Sequence, residues 1–176
     1  MKSFSEIIKN KAVNEAVSDR IDLQTILIVL YKRYAEEVLQ WYTYHIVSDF
    51  MVGKERPSIE KAFAEMADDE LNDHAEKILK RIAELGGDVE YLKDINALKN
   101  LSDCDYSLPS KPYDTLQLVA KNIEHEKCAI NGYQELCDLT RDKDMSTYDM
   151  AVEILKDEEE HLQTLNDFLA DIQFQK

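Results

Sequence analysis

Four glutamates, Glu37, Glu70, Glu126 and Glu158, each interrupt an otherwise apolar stripe of helical spacing. A lone glutamate in such a stripe is usually a boundary residue whose head reaches water. Four of them, each near the middle of a different segment, call for another explanation, because buried carboxylates are costly singly and repel one another together. Two histidines follow one turn on, His74 after Glu70 and His161 after Glu158. Four carboxylates and two imidazoles facing one interior form the ligand set of a di-metal carboxylate centre, in which two divalent cations offset four negative charges.

The stripes define the elements that must position these groups. The first reads Leu23, Leu27, Leu30, Tyr34, Glu37, Trp41, Tyr44, Ser48, Met51; the second, Ile59, Phe63, Met66, Glu70, His74, Ile78, Ile82, Leu85. The third runs from Leu116 through Ile123, Glu126 and Tyr133 to Thr140, and the fourth from Ala151 through Glu158 and Leu165 to Ile172. Turn-forming residues at Gly53 to Pro57, Gly86-Gly87, Ser102 to Pro112 and Arg141 to Asp144 separate them. Helices are therefore predicted near 20–53, 57–85, 112–141 and 147–174, with Pro57 and Pro112 in first turns and Ser146 to Asp149 capping the fourth. An amphipathic piece near 4–18 is expected outside the bundle.

The second stripe steps by four from Met66 through Ile82, which drifts on a regular helix, and its histidine follows the glutamate by four residues instead of three. A π-bulge near 70–74 corrects both. The connection of about 87–111 is long enough to cross the bundle, with a short helix expected within 91–101 and an ordered strap through Cys104 to Pro109. A four-helix bundle with one long crossover between its second and third helices is the ferritin-like, all-α arrangement. We read residues 1–176 as one such domain with an N-terminal extension of about 1–19.

Composition agrees. Seven Gly and Pro in 176 residues are about a third of average usage, which excludes a glycine-rich phosphate loop and an all-β sandwich. Lys and Arg number 21 against 36 Asp and Glu, a net charge of −15. That charge repels phosphate, so DNA is not expected as a partner despite Lys2, Lys9 and Lys11. The longest apolar run, 26–31, is too short for a membrane span, and the charged start lacks a signal-peptide core, so a cytoplasmic location is expected.

The Glu37 to Tyr44 segment, the 33-residue step from Glu37 to Glu70, the Glu126 to Glu135 spacing and the run from Glu153 to His161 resemble bacterioferritin. The resemblance is closer to the Dps-like ferritins called thioferritins. It is carried by Ile82 to Gly87, Ser102 to Pro109, Glu126 to Ile130, Glu135 to Thr140 and Thr147 to Asp149, and covers about residues 30–170. The longer Glu-x-x-x-His spacing in the second helix departs from bacterioferritin and looks like a shared feature of this subgroup.

The resemblance implies a dodecameric cage that oxidises Fe(II) with hydrogen peroxide and stores ferric mineral, protecting against oxidative stress. It implies two iron ions per subunit, one on Glu37 and His74, the other on Glu126 and His161, with Glu70 and Glu158 bridging; Mn or Zn could substitute. Tyr44 matches a tyrosine beside the di-iron site of related ferritins, and Trp41 could quench oxidising equivalents, although both also suit a plain core. Absence of a fifth helix after residue 174 favours a dodecamer over a 24-mer, by the same analogy.

Cys128 and Cys137 lie nine residues apart, on opposite faces of a regular helix and about 13 Å distant, so they cannot pair. Cys104 could reach either, or all three could be free thiols. Given the resemblance and the nearness of Cys128 to Glu126, a redox-active Cys104–Cys128 pair is expected. His45 and His125 fall one residue off their stripes and are read as surface or boundary residues, and Asp157, Glu159 and Glu160 as an acidic face. The competing readings are a non-storing di-metal enzyme of rubrerythrin or manganese-catalase type and a purely structural helical oligomer. Rubrerythrin usually adds a Cys-x-x-Cys iron centre that this sequence lacks, and a structural oligomer leaves the four glutamates unexplained.

Overall fold

The computed structural model describes residues 22–111 and 113–174. The amphipathic piece expected at 4–18, the three N-terminal lysines and Pro112 lie outside the described residues. Within them the chain forms α1 (Leu23–Phe50), α2 (Arg56–Asp69), a π-helical turn (Glu70–Ala75), α3 (Glu76–Glu84), a 3-10 turn (Val89–Tyr91), α4 (Ile95–Leu101), α5 (Thr115–Thr140) and α6 (Met145–Phe174). α2, the π turn and α3 form one continuous rod, so the four predicted long helices and the short crossover helix are all present.

Local signals explain most boundaries. Asp22 and Asp114 cap α1 and α5, each accepting from the backbone N–H two residues on, and Pro57 sits in the first turn of α2. The α5 start thus falls at Thr115, three residues after the prediction, because Asp114 supplies the oxygen that satisfies the free N–H groups. α6 is capped by Asp144, ahead of the expected Ser146 to Asp149 segment: its carboxylate accepts from Thr147 N (3.3 Å) and Thr147 Oγ1 (2.5 Å). The same buried carboxylate takes two bonds from Arg81 Nη2, at 2.7 and 2.8 Å, fastening the α5–α6 turn to α3. The rod ends at Gly86, whose φ of 80° is open to glycine at little cost.

α1 and α2 form one antiparallel hairpin and α5 and α6 the other. The crossover carries the chain the length of the bundle, returning where α1 ended: Val52 N donates to Tyr113 O (3.3 Å) and Thr115 Oγ1 to Val52 O (2.7 Å). α5 therefore runs antiparallel to α1. The crossover lies across these two helices, held by the Cys104–Cys128 disulfide, by Asp103 N donating to Glu36 (3.0 Å), and by Lys32–Asp103 and Lys121–Asp105 ion pairs.

Two apolar clusters fill the interior. One packs Leu27, Leu30, Tyr31, Ile78, Ile82, Leu136 and Ile154 together; the other, Val47, Met51, Phe63, Met66, Leu118 and Leu165. The four stripe glutamates lie between these clusters along each helix. Burial of aliphatic and aromatic side chains at roughly 25 cal/mol per Å² supplies the free energy that keeps charged groups in such a place.

Candidate metal centre

The sequence dictates a local departure at the second helix. Five stripe residues at intervals of four, Met66, Glu70, His74, Ile78 and Ile82, are all buried. A regular helix would rotate such a series away from the core, since 4 × 100° overshoots a full turn. The six-residue π turn Glu70–Ala75 absorbs that rotation and brings Glu70 and His74 to the same interior. α6 needs no such device, because Glu158 and His161 are spaced by three.

All six predicted ligands converge. Glu37, Glu70, Glu126 and Glu158 are no more than 2% exposed, His74 is fully buried and His161 is 7% exposed. His74 Nδ1 lies 3.3 Å from Glu37 Oε2 and Glu70 Oε2 and 3.2 Å from Glu158 Oε1. His161 Nδ1 lies 3.4 Å from Glu70 Oε1, 3.9 Å from Glu126 Oε1 and 3.8 Å from Glu158 Oε2. Two overlapping sets result, Glu37, Glu70, His74, Glu158 and Glu70, Glu126, Glu158, His161, with potential ligand atoms of each set within 4.8 Å of one another. Glu70 and Glu158 belong to both.

A donor set of carboxylate oxygens and imidazole nitrogens suits first-row divalent metals, and the unsatisfied atoms fit the same conclusion. Glu70 Oε1, Glu126 Oε2, both Glu158 oxygens and His161 Nδ1 are buried without a hydrogen bond. Acceptors crowded around one point and left unpaired are what a cation satisfies. Without metal, protons and imidazolium charge serve that role. Burial and the charge of Glu37 push the Glu70 carboxyl up to about 8, and burial with the charge of Glu158 holds Glu126 well above its usual range. Burial disfavours charge on both histidines, but the close carboxylates of Glu158, Glu37 and Glu70, which favour a proton on the ring, hold His74 far above the ordinary imidazole value, and those of Asp69, Glu158 and Glu70 do the same for His161. Glu37 goes the other way: burial raises it, and the bonds from His74 and Tyr133 among others outweigh that.

Around the ligands stands a ring of positioning groups. The Tyr44 hydroxyl donates to Glu126 Oε1, which also accepts from Gln40 Nε2 at 2.9 Å. The Tyr133 hydroxyl donates to Glu37 Oε1. Burial and the adjacent carboxylates push both phenols well above their usual range, so both remain donors. The outer nitrogen of each histidine faces an aspartate: His74 Nε2 lies 3.4 Å from Asp157 and His161 Nε2 3.4 Å from Asp69. Such contacts fix ring orientation and direct Nδ1 inward.

The tyrosine expected beside the site is thus in contact with it. Trp41, also expected there, is half-buried, stacks on His45 with ring centroids 5.5 Å apart and packs on an apolar cluster. Tyr133, Gln40 and Asp69 were missed and Asp157 was read as part of an acidic face, yet signals existed. Tyr133 follows Glu126 by seven residues, as Tyr44 follows Glu37, and Asp69 and Asp157 each immediately precede a shared glutamate. His125 corrects its expectation: it is 2% exposed, beneath the crossover, with its ring centroid 4.8 Å from that of Tyr106. Burial and the Lys121 charge push it down to about 4, hence neutral. Cys104 and Cys128 form the expected disulfide, and Cys137 is a buried free thiol.

A crossover four-helix bundle around two overlapping carboxylate–histidine sets defines the ferritin class, and the chain belongs to the ferritin-like domain family, which matches residues 29–174. Within that family its relatives are of the Dps-like branch. The "DNA protection during starvation protein" of Pyrococcus furiosus is 38% identical over 143 residues, 80% of this chain and 75% of the relative. A solved dodecameric thioferritin, the bacterioferritin-related protein of Bacteroides fragilis, superposes with a TM-score of 0.86 at 33% identity, covering 97% of this chain and 96% of that one. Dps from Thermosynechococcus elongatus shares the fold, with a TM-score of 0.76 at 16% identity over 83% of this chain and 90% of its own.

Proposed function

We propose that this chain is a ferroxidase subunit of an iron-storing cage that uses hydrogen peroxide as oxidant. The observation that carries the reading is the sharing of Glu70 and Glu158 between two ligand sets. Shared carboxylates hold two ions side by side, so one peroxide takes both its electrons in one place. Two Fe(II) each give up one electron, the O–O bond breaks, and two protons complete two water molecules. The one-electron route that would release hydroxyl radical is avoided.

Fe(II) is the substrate, and two ions per subunit are the expected load, Glu37 with His74 serving one and Glu126 with His161 the other. Hard oxygen donors favour Fe(III) over Fe(II), which assists oxidation. Mn(II) and Zn(II) fit the same donors as substitutes. Tyr44 holds Glu126 in place, and Trp41 is assigned to quenching stray oxidising equivalents. By analogy with the thioferritin relative, the cage is a dodecamer of 20.4 kDa chains, about 245 kDa in all. A cytoplasmic location is consistent with described helices none of which is long and apolar enough to cross a membrane. The charge of −15 disfavours DNA as a partner.

Anaerobic Fe(II) titration followed by stopped-flow mixing with peroxide tests the reading. Binding of two Fe(II) per chain and consumption of one peroxide per two Fe(II), by a species near the dodecamer mass in light scattering, is expected. Peroxide consumed without net Fe(II) oxidation, by a small oligomer, would instead identify a catalase- or rubrerythrin-like enzyme.

A further inference from the structure

Beyond the metal centre, buried polar atoms without a hydrogen-bond partner concentrate under the crossover. They are Arg33 Nε and Nη1, Gln40 Oε1, Tyr106 Oη, Asn122 Oδ1 and both ring nitrogens of His125. Arg33, Glu36 and Gln40 lie along one face of α1, and Asn122 and His125 one turn apart on α5. The Arg33 guanidinium lies against α5 at Gly132, where an added Cβ would fall 1.0 Å from Nη1. Tyr106 reaches down from the strap onto His125, two residues beyond the disulfide anchor and three from Asp103, which holds Glu36. The Asp105 backbone approaches His125 without hydrogen-bond geometry. Each such atom left unpaired costs about 1–3 kcal/mol, and native interiors satisfy groups of this kind with ordered water or a polar ligand.

Gln40 links these groups to the metal centre: its Nε2 donates to Glu126, and its Oε1 is buried without a partner. The charge of the layer argues against metal ions. Its permanent charge is the Arg33 guanidinium beside Glu36 (3.0 Å), and its other members are the side-chain amides of Gln40 and Asn122, the Tyr106 phenol and the His125 ring. Cations have a better approach on the opposite face, between α2 and α6, where the half-exposed Asp69, Asp73 and Asp157 stand next to His161 and His74. We propose that the polar layer under the crossover is the passage by which hydrogen peroxide, a neutral solute that both donates and accepts hydrogen bonds, reaches the metal centre. The proposal rests on the peroxide-dependent function argued above.

Asn122→Leu fills the layer with an apolar side chain of similar size, and Tyr106→Phe removes one hydroxyl; neither touches a proposed iron ligand. In the intact oligomer each should raise the KM for peroxide about three- to tenfold, with Fe(II) stoichiometry and kcat at saturating peroxide unchanged. A high-resolution crystal structure of the wild-type chain should show ordered solvent on Tyr106, Asn122, His125 and Gln40. A dry layer overturns the proposal, and so does an unchanged KM in both variants with the solvent present. A wild-type protein that fails to oxidise Fe(II) with peroxide brings down the proposed function itself, a result separate from either of these.

Discussion

Tyr44 on α1 donates its phenolic hydrogen to Glu126 on α5, and seven residues separate Tyr44 from Glu37 just as seven separate Tyr133 from Glu126. The reciprocal bond, Tyr133 to Glu37, closes a two-fold arrangement across two antiparallel helices. The histidines repeat it, His74 facing Asp157 and His161 facing Asp69. The centre is two near-equivalent halves related by this pseudo-symmetry.

Glu126→Ala should abolish rapid peroxide-dependent Fe(II) oxidation, because it removes a ligand of one half only and leaves the second ion unheld. The metal-free variant should stay folded but melt below wild type, since the buried Tyr44 hydroxyl and Gln40 Nε2 lose the acceptor they share. Stopped-flow oxidation and calorimetry check the two parts, and oxidation at the wild-type rate would remove Glu126 from the site.

Tyr44→Phe and Tyr133→Phe should affect different ions. The first loosens the carboxylate of the Glu126–His161 half, the second that of the Glu37–His74 half, and each should weaken one of two metal-binding steps by about tenfold. Calorimetric titration with Mn(II) resolves the steps; equal weakening of both by either variant contradicts the half-site assignment.

Asp69→Asn and Asp157→Asn should each lower metal affinity about 10- to 100-fold by releasing the ring that the aspartate orients. Asp73→Asn is the control, as Asp73 pairs with Lys77 at 2.5 Å and belongs to neither of the two buried sets. An Asp73→Asn effect as large as that of Asp157→Asn would point to lost surface charge, not ring orientation.

Much of this was written in the periodicity. The four glutamates lay on stripes, and the stride of four from Met66 to Ile82 already pointed to a π turn. The polar layer was not legible, because nothing in the spacing of α1 or α5 marks a second buried face. Arg33, Gln40, Asn122 and His125 fall off the bundle stripes and are buried by a segment some twenty residues distant in sequence from the nearest of them on α5. His125 was misread for that reason: periodicity reports burial by neighbouring helices and is blind to a crossover.

The Cys104–Cys128 bond closes a loop of sequence separation 24, for which chain-entropy arguments give about 3 kcal/mol of stabilisation. Cys104→Ser should lower stability by up to that amount and leave α5 and α6 intact. Thiol titration of the unreduced, denatured wild-type protein should find one thiol, Cys137; three would exclude the bond.

Acid stability should depend on Asp144. Burial raises its carboxyl, but the bonds from Arg81 and Thr147 outweigh this and hold it below the ordinary aspartate value. A folded-state pKa below the unfolded one gives stabilisation that is present above the unfolded value, about 3.8, and lost as pH falls through the folded value. Asp144→Asn should therefore cost about 2–3 kcal/mol at neutral pH and flatten the wild-type fall in stability below about pH 4. Denaturant unfolding across that range measures both.

The exchange of partners between the halves also bears on how the molecule assembles. Glu37, Glu70 and His74 belong to the α1–α2 hairpin, but Tyr133 and Asp157, which steady two of them, come from α5 and α6. Glu126 and His161 likewise depend on Tyr44 and Asp69. Neither hairpin owns a finished half-site. Metal binding at these sets is thereby tied to the docking of one hairpin on the other, and a partly folded subunit lacks a finished site.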